Sequence, residues 1–335
     1  MQALIFIEPN KFEIAEKELR KPESNELVIK IDSCGVCGTD FHIFRGESFA
    51  KNNTILGHEF SGTIVDRNNH YEYENGDFVV IDPNIFCGKC CYCRSGKVNF
   101  CENHKALGVT LDGGFAEYAI VPVSQVYKIP SNIPLDIASF AEPLSCCLRG
   151  IDRSEIKTGE SVIILGGGPI GLLILQLVKL RGASKVILIE PNEFRRQLAH
   201  KLGADYTFEP DEQNLKSNIF DLTKGGADCI IECAGKSEAV SLGFDLIKRG
   251  GKIILFGVHS VNSKVSIDLN KFFLNELTIK SSFLNPFTFS RSIELLINKK
   301  IVVDSFPIQK VNLESLLKIF YAKTSADVLK YQFHN

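Results

Sequence analysis

No stretch of this sequence approaches the roughly 20 consecutive apolar residues that cross a bilayer, and it has no excess of positive charge: 38 Lys and Arg stand against 40 Asp and Glu. The first absence argues against a membrane span, the second against a phosphate backbone or an anionic membrane as partner. The N-terminus lacks the pattern of a signal peptide, because Met1-Gln2-Ala3-Leu4-Ile5-Phe6-Ile7 meets Glu8 and Pro9 too early. A cytoplasmic protein that binds neither nucleic acid nor membrane is therefore expected. Internal repeats and low-complexity segments are missing as well. What is present is length and cysteine. At 335 residues the chain exceeds the size at which single cores stop growing, about 250–300 residues, and two domains are expected. In a reducing compartment its eleven cysteines, where clustered, point to metal ligands rather than disulfides.

Two short motifs in the first 60 residues carry metal chemistry. Cys37-Gly38-Thr39-Asp40 is followed about twenty residues on by Gly57-His58-Glu59. A thiolate, an imidazole and a carboxylate are the side chains zinc accepts, and three protein ligands leave a tetrahedral position open, the format of a catalytic site. Taken singly, Cys37 reads as a buried core cysteine and His58 as a hydrogen-bonded core histidine; the later motifs shift both towards metal. A second cluster, Cys87, Cys90, Cys93 and Cys101, has the spacing C-x2-C-x2-C-x7-C. Four thiolates so spaced close around one zinc as a structural site. An iron–sulfur run would need its fourth cysteine after three residues, followed by Pro. Cys91 is spare. Such a lobe has too few apolar residues for a core of its own, and metal would pin it.

Between and after these motifs the first half reads as strands: Ala3–Ile7, Leu27–Ile31, Phe60–Val65, Gly76–Ile81 and Ala119–Val123, with a short helix after Cys37. Leu135–Gly150 has helical spacing and contains Ala141-Glu142-Pro143-Leu144. Glu142 is either an acid favoured by a helix N-terminus, with Pro143 in the first turn, or a fourth oxygen near the metal, as ligand or as a base behind it.

From Ser161 the pattern becomes alternating strand and helix, the mark of a parallel sheet with crossover helices. Strand Ser161–Leu165 runs into Gly166-Gly167-Gly168-Pro169-Ile170-Gly171 and an apolar helix, Leu172–Leu180. In that context the glycines (Gly166, Gly168, Gly171), with Pro169 and Ile170, predict a pyrophosphate seated on a helix N-terminus. The next strand, Val186–Ile189, ends in Glu190, where an acid bonds adenosine ribose hydroxyls and repels a 2′-phosphate, so NAD is expected rather than NADP. Arg195 and Arg196 run against that preference unless they pair with Glu190 or Glu193 or face solvent. Later strand ends, Cys233-Ala234 and Gly257-Val258, offer small residues against which a flat nicotinamide can lie. Further elements are expected at Asn192–Leu202, Asp228–Cys233, Lys252–Phe256, Leu277–Phe283, Thr288–Asn298, Leu313–Tyr321 and Val328–Phe333.

Gly35 to Asp40, Gly57 to Gly62, the cysteine lobe, Ala141 to Leu144 and Gly166 to Gly171, in that order, resemble the zinc-containing medium-chain dehydrogenases, nearest the sorbitol (polyol) and threonine dehydrogenase branch. The resemblance implies an α/β plus β chain: a GroES-like catalytic domain from residues 1–145 and 285–335, and a Rossmann NAD-binding domain from 146–284, with the active site between them. It implies two zinc ions per chain, NAD, a homodimer or homotetramer, and hydride transfer from a secondary alcohol whose proton a Lewis-acid metal makes easier to lose. It further implies a proton relay through Thr39 and His42, and a third zinc ligand that is Glu59 or Glu142. A polyol is the expected substrate. A sugar-alcohol phosphate, held by Arg45 or Lys51, and L-threonine remain alternatives, as does a catalytically silent NAD-binding protein.

Overall fold

The computed structural model describes residues 1–322, 325 and 327–335. The chain forms two compact units, one of Met1–Ser145 with Pro286–Asn335, the other of Cys146–Asn285.

The first unit is built on a sheet whose strands run in the order Val126–Lys128, Phe78–Ile81, Glu59–Asp66, Glu26–Gly35, Lys330–His334 and Ile308–Val311, with Tyr118–Pro122 also paired to Glu26–Gly35. A smaller sheet joins Lys11–Glu16, Gln2–Glu8 and Thr54–Ile55. Strand Glu26–Gly35 is the spine. Its residues Leu27, Ile29 and Ile31 are buried in a cluster with Phe60, Ile64, Val79, Phe115 and Phe333, so strands far apart in the chain close over one core. The pairing that matters most for function is antiparallel. It sets Gly35 opposite Glu59 on one side and opposite Gln332 on the other.

In the second unit six parallel strands lie in the order Tyr206–Phe208, Lys185–Ile189, Ser161–Leu165, Ala227–Glu232, Ile247–Leu255 and Thr278–Ser281. In chain order that is third, second, first, fourth, fifth, sixth. In such a sheet the strand order reverses beside the first strand, and dinucleotides bind outside the strand ends at that point. Ser161–Leu165 is buried at every position, as a strand covered on both faces must be. Burying each of Val162, Ile163, Ile164 and Leu165 contributes about 1.5–3 kcal/mol.

One helix expected from Leu135 to Gly150 is two, Leu135–Ala138 and Ala141–Ser154. Pro143 is the reason: proline has no N–H and is tolerated only in a first turn, so the helix restarts just before it. Strand Lys11–Glu16 and helices Leu215–Thr223, Ser237–Leu246 and Leu269–Leu274 were not among the expected elements. Among the described residues no helix is long and apolar enough to cross a membrane.

Candidate functional site

The helix Gly38–Phe44 starts at Cys37, whose backbone N–H donates to Asp40 Oδ2 at 2.8 Å. That contact fixes the turn on which the Cys37 sulfur is carried. Gly57, at φ +88°, turns the chain immediately before His58, and a Cβ there would press on Cys34 Sγ and the Phe115 ring at 2.7 Å. From that turn the strand Glu59–Asp66 begins. One ligand atom from each of Cys37, His58 and Glu59 lies within 4.8 Å of the others. His58 and Glu59 are 8% and 1% exposed.

The electrostatics of this trio call for a cation. Asp40 Oδ1 faces His58 Nδ1 at 3.4 Å, leaving Nε2 for another partner, the arrangement by which an outer carboxylate orients a metal-binding imidazole. Burial opposes charge on His58, but Asp40 and Cys37 outweigh it and raise the imidazole well above its ordinary value. Glu59 Oε2, His58 Nδ1 and Asp40 Oδ1 are buried without a well-aligned hydrogen bond among the described residues. Lys330 Nζ closes on Glu59 Oε2. Burial works against the charged ammonium, yet Glu59, followed by Cys37, raises its value above the ordinary one. A divalent metal fits this donor set: soft sulfur, imidazole and carboxylate, the last two buried, with ligand atoms that converge and polar atoms left without a well-aligned partner.

Thr39 Oγ1 lies 3.6 Å from Cys37 Sγ, one turn before His42 on the same helix. His42 is no loop residue. Its Nδ1 meets Glu47 Oε2 at 2.6 Å; Glu47, held by Arg45 and then by His42, is pulled down to about 2. Arg45 itself is bound to Glu47 at 2.9 and 3.0 Å. Glu142 is buried in the first turn of Ala141–Ser154, outside the trio whose ligand atoms converge.

The second cluster gathers Cys87, Cys90, Cys93 and Cys101, again with one atom of each within 4.8 Å of the rest. Backbone amides aim at the sulfurs: Cys87 N donates to Cys101 Sγ at 3.3 Å, Cys90 N to Cys87 Sγ at 3.4 Å and Cys93 N to Cys90 Sγ at 3.5 Å. The amides of Lys89 and Cys90 lower the Cys87 thiol to about 6. Burial and the neighbouring sulfurs push Cys93 up to about 12. Four sulfurs without a cation thus divide into some that ionise readily and one that resists, which a zinc ion would relieve. Cys91 is exposed, its Sγ 3.5 Å from Glu102 Oε1, away from the cluster.

In the second unit, Gly166 takes φ +105° and Gly171 packs so tightly on Gly166 O that no Cβ could stand there. A Cβ on Gly168 would meet nothing within 4 Å, and Gly168 caps the helix Pro169–Leu180 with proline in its first turn, so Ile170 lies in that turn too. Open space at free helix amides is where a pyrophosphate fits. Glu190, buried, accepts Gly167 N at 2.6 Å and Asn192 N at 3.0 Å. Arg196 does not pair with the Glu190 carboxylate: Nη1 donates to the main-chain oxygens of Glu190 and Pro191, both at 2.7 Å. Arg195 Nε is buried with no hydrogen-bond partner among the described residues. Cys233 N joins Leu165 O at 2.8 Å, and Ala234 and Gly235 both donate to Glu232 Oε1 at 2.7 Å. Gly257 packs on Gly235, and Val258 is 58% exposed beside it.

Sequence reasoning passed over Asp40, Glu47, Glu232 and Lys330. Asp40 had a local signal, an acid three residues after an N-cap position. The others had none.

A zinc-binding dehydrogenase profile matches residues 169–298 and an alcohol dehydrogenase GroES-like domain profile matches residues 23–131. D-arabinitol dehydrogenase 1 of Uromyces fabae is 34% identical over 98% of this chain and 96% of its own. L-threonine 3-dehydrogenase of Pyrococcus abyssi is 39% identical over 77% of this chain and 75% of its own. A crystal structure from Sinorhizobium meliloti 1021, assigned as a zinc-binding dehydrogenase and bound to NADP, superposes with a TM-score of 0.95 at 35% identity, over 100% of this chain and 99% of that one.

Proposed function

The chain belongs to the zinc-containing medium-chain alcohol dehydrogenases, and from that premise we propose that this NAD(P)-dependent oxidoreductase oxidises a secondary alcohol of a small polyol, with NAD+ as its preferred acceptor. The observation that carries the reading is the convergence of Cys37, His58 and Glu59 within 4.8 Å. These three would hold the catalytic zinc, and Cys87, Cys90, Cys93 and Cys101 a structural one. When bound, zinc supplies Lewis-acid polarisation of the alcohol oxygen and the nicotinamide supplies the hydride acceptor.

The protein's own residues do the rest. Asp40 holds His58 in the orientation that presents Nε2. Thr39 Oγ takes the hydroxyl proton of the substrate and passes its own towards His42 Nε2, free to accept because Glu47 engages Nδ1. Glu142, buried in the first turn of Ala141–Ser154, would be a further oxygen near the metal. On the cofactor side Gly166 to Gly171 receive the pyrophosphate, Glu190 the adenosine ribose, and Cys233, Ala234, Gly257 and Val258 line the nicotinamide end. Glu190 favours NAD, while the unpartnered Arg195 Nε gives a 2′-phosphate one donor.

A free polyol is favoured over its phosphate ester because Arg45 is already neutralised by Glu47. It is favoured over threonine because the arabinitol enzyme matches along 98% of the chain. L-Threonine is the second reading, supported by the higher identity of the threonine enzyme, 39%. Eleven free cysteines suit a reducing cytoplasm. Leu269, Phe273 and Leu274, 66–77% exposed near the edge strand Thr278–Ser281, support a homo-oligomer. The test is reduction of NAD and NADP by the zinc-replete protein against arabitol, sorbitol, xylitol, their phosphates and threonine. Turnover with threonine and no polyol would overturn the substrate assignment; cofactor binding with no turnover on any alcohol would favour the silent protein.

A further inference from the structure

Lys330 has no part in the reaction as drawn above, yet it is buried against a metal ligand from the far end of the sequence. The antiparallel pairing of Lys330–His334 with Glu26–Gly35 delivers it there. Its side chain and that of Glu59 are only 5% and 2% exposed. Gly35 lies between them, and a Cβ at that position would collide with both Glu59 Oε2 and Lys330 Cε. The Phe140 ring sits 5.9 Å from the ammonium. An ammonium held out of water costs several kcal/mol unless a carboxylate compensates it, and here that carboxylate is also the hard ligand of the trio.

We propose that Lys330 is a positioning residue that, by occupying Glu59 Oε2, would compete with the metal for that carboxylate, so that Glu59 is a loosely held ligand. The inference rests on Cys37, His58 and Glu59 being the metal site. Two cations sharing one carboxylate weaken each other reciprocally. Removing the ammonium therefore strands Glu59 in the metal-free protein and tightens metal binding. A role confined to packing gives the opposite sign, since losing a support of the site loosens the metal.

The test compares the whole protein with Lys330→Met, Lys330→Arg and Cys37→Ser. Chelator competition gives the zinc dissociation constant, and cobalt substitution gives the visible absorption of the trio; Cys37→Ser, which retains the cysteine lobe, supplies the blank for the lobe ion. Lys330→Met is expected to bind zinc about tenfold more tightly or better, the scale of outer-ligand effects, with shifted cobalt bands, while Lys330→Arg stays near the parent in both. Should Lys330→Met not fold, Lys330→Gln is read instead and is expected to move in the same direction. Unchanged or weaker zinc binding on loss of the cation overturns the proposal. If Cys37→Ser holds as much metal as the parent, the assignment of the trio itself has failed, and the proposal falls with it.

Discussion

The two cysteine-bearing centres lie in the same unit and are made in opposite ways. The lobe takes all four sulfurs from residues 87–101 and aims amides of its own loop at three of them. Around it Gly88, Lys89, Cys91 and Tyr92 are exposed. The trio takes its ligands from a helix cap and a strand start, buries two of them, and sets Asp40 against His58 and Lys330 against Glu59. A closed set of thiolates can only hold a fold together, whereas three unlike ligands in a charged, buried setting leave a position for substrate. Local construction suits a staple, and long-range construction suits a site whose ligands must be tuned.

Breaking the trio should have the largest effect. Cys37→Ser or His58→Ala is expected to cut turnover by at least about a thousandfold, since the Lewis acid contributes several kcal/mol, while NAD binding measured by titration stays within about twofold; retained activity in both would move the chemistry elsewhere. Breaking the lobe should act on stability. For Cys90→Ser the thermal midpoint is expected to fall by roughly 10 °C, a few kcal/mol for a domain of this size, with turnover per folded molecule largely kept. Loss of turnover without loss of stability would erase the distinction between the two centres.

Outside both centres, Glu190→Ala is expected to raise KM for NAD by about tenfold with little change for NADP and no change in metal content, read from paired cofactor kinetics. The smallest effect should come from the Arg20–Glu26 pair. Arg20 donates twice to Glu26, at 2.6 and 2.7 Å, and with burial opposing it this bonding lowers the Glu26 carboxyl. A lowered carboxylate stabilises the fold above its unfolded value, about 4.3, and the contribution is lost as pH falls through the folded value. Glu26→Gln should therefore cost about 1 kcal/mol or less at pH 7, and denaturation curves of variant and parent should converge in acid. Metal content should not move at all.

Legibility in the sequence followed the same divide. The lobe, the glycine turn with Glu190, and the Cys37 and His58-Glu59 motifs are local patterns, and the helix Leu313–Tyr321 emerges with the bounds its periodicity predicts. Failures came where a break, a short return of the chain or a distant strand decides. The apolar spacing from Leu135 to Gly150 hid a break that Pro143 imposes. Helix spacing gave no means to see that Glu47 would return to His42, or that pairing of the last strand would bring Lys330 to Glu59. Arg196 was expected to pair with Glu190 or Glu193 or to face solvent; it donates to the main-chain oxygens that end the second strand and reaches Glu209 at 3.9 Å. Buried charge is set by sheet register, which a one-dimensional pattern does not carry.

The central claim is that one centre does chemistry and the other holds the fold, and metal content per chain in the purified parent and in Cys37→Ser tests it most directly. The account predicts two zinc ions in the parent and one in the variant, with the remaining ion retained by a folded protein. Two ions retained in Cys37→Ser would contradict it.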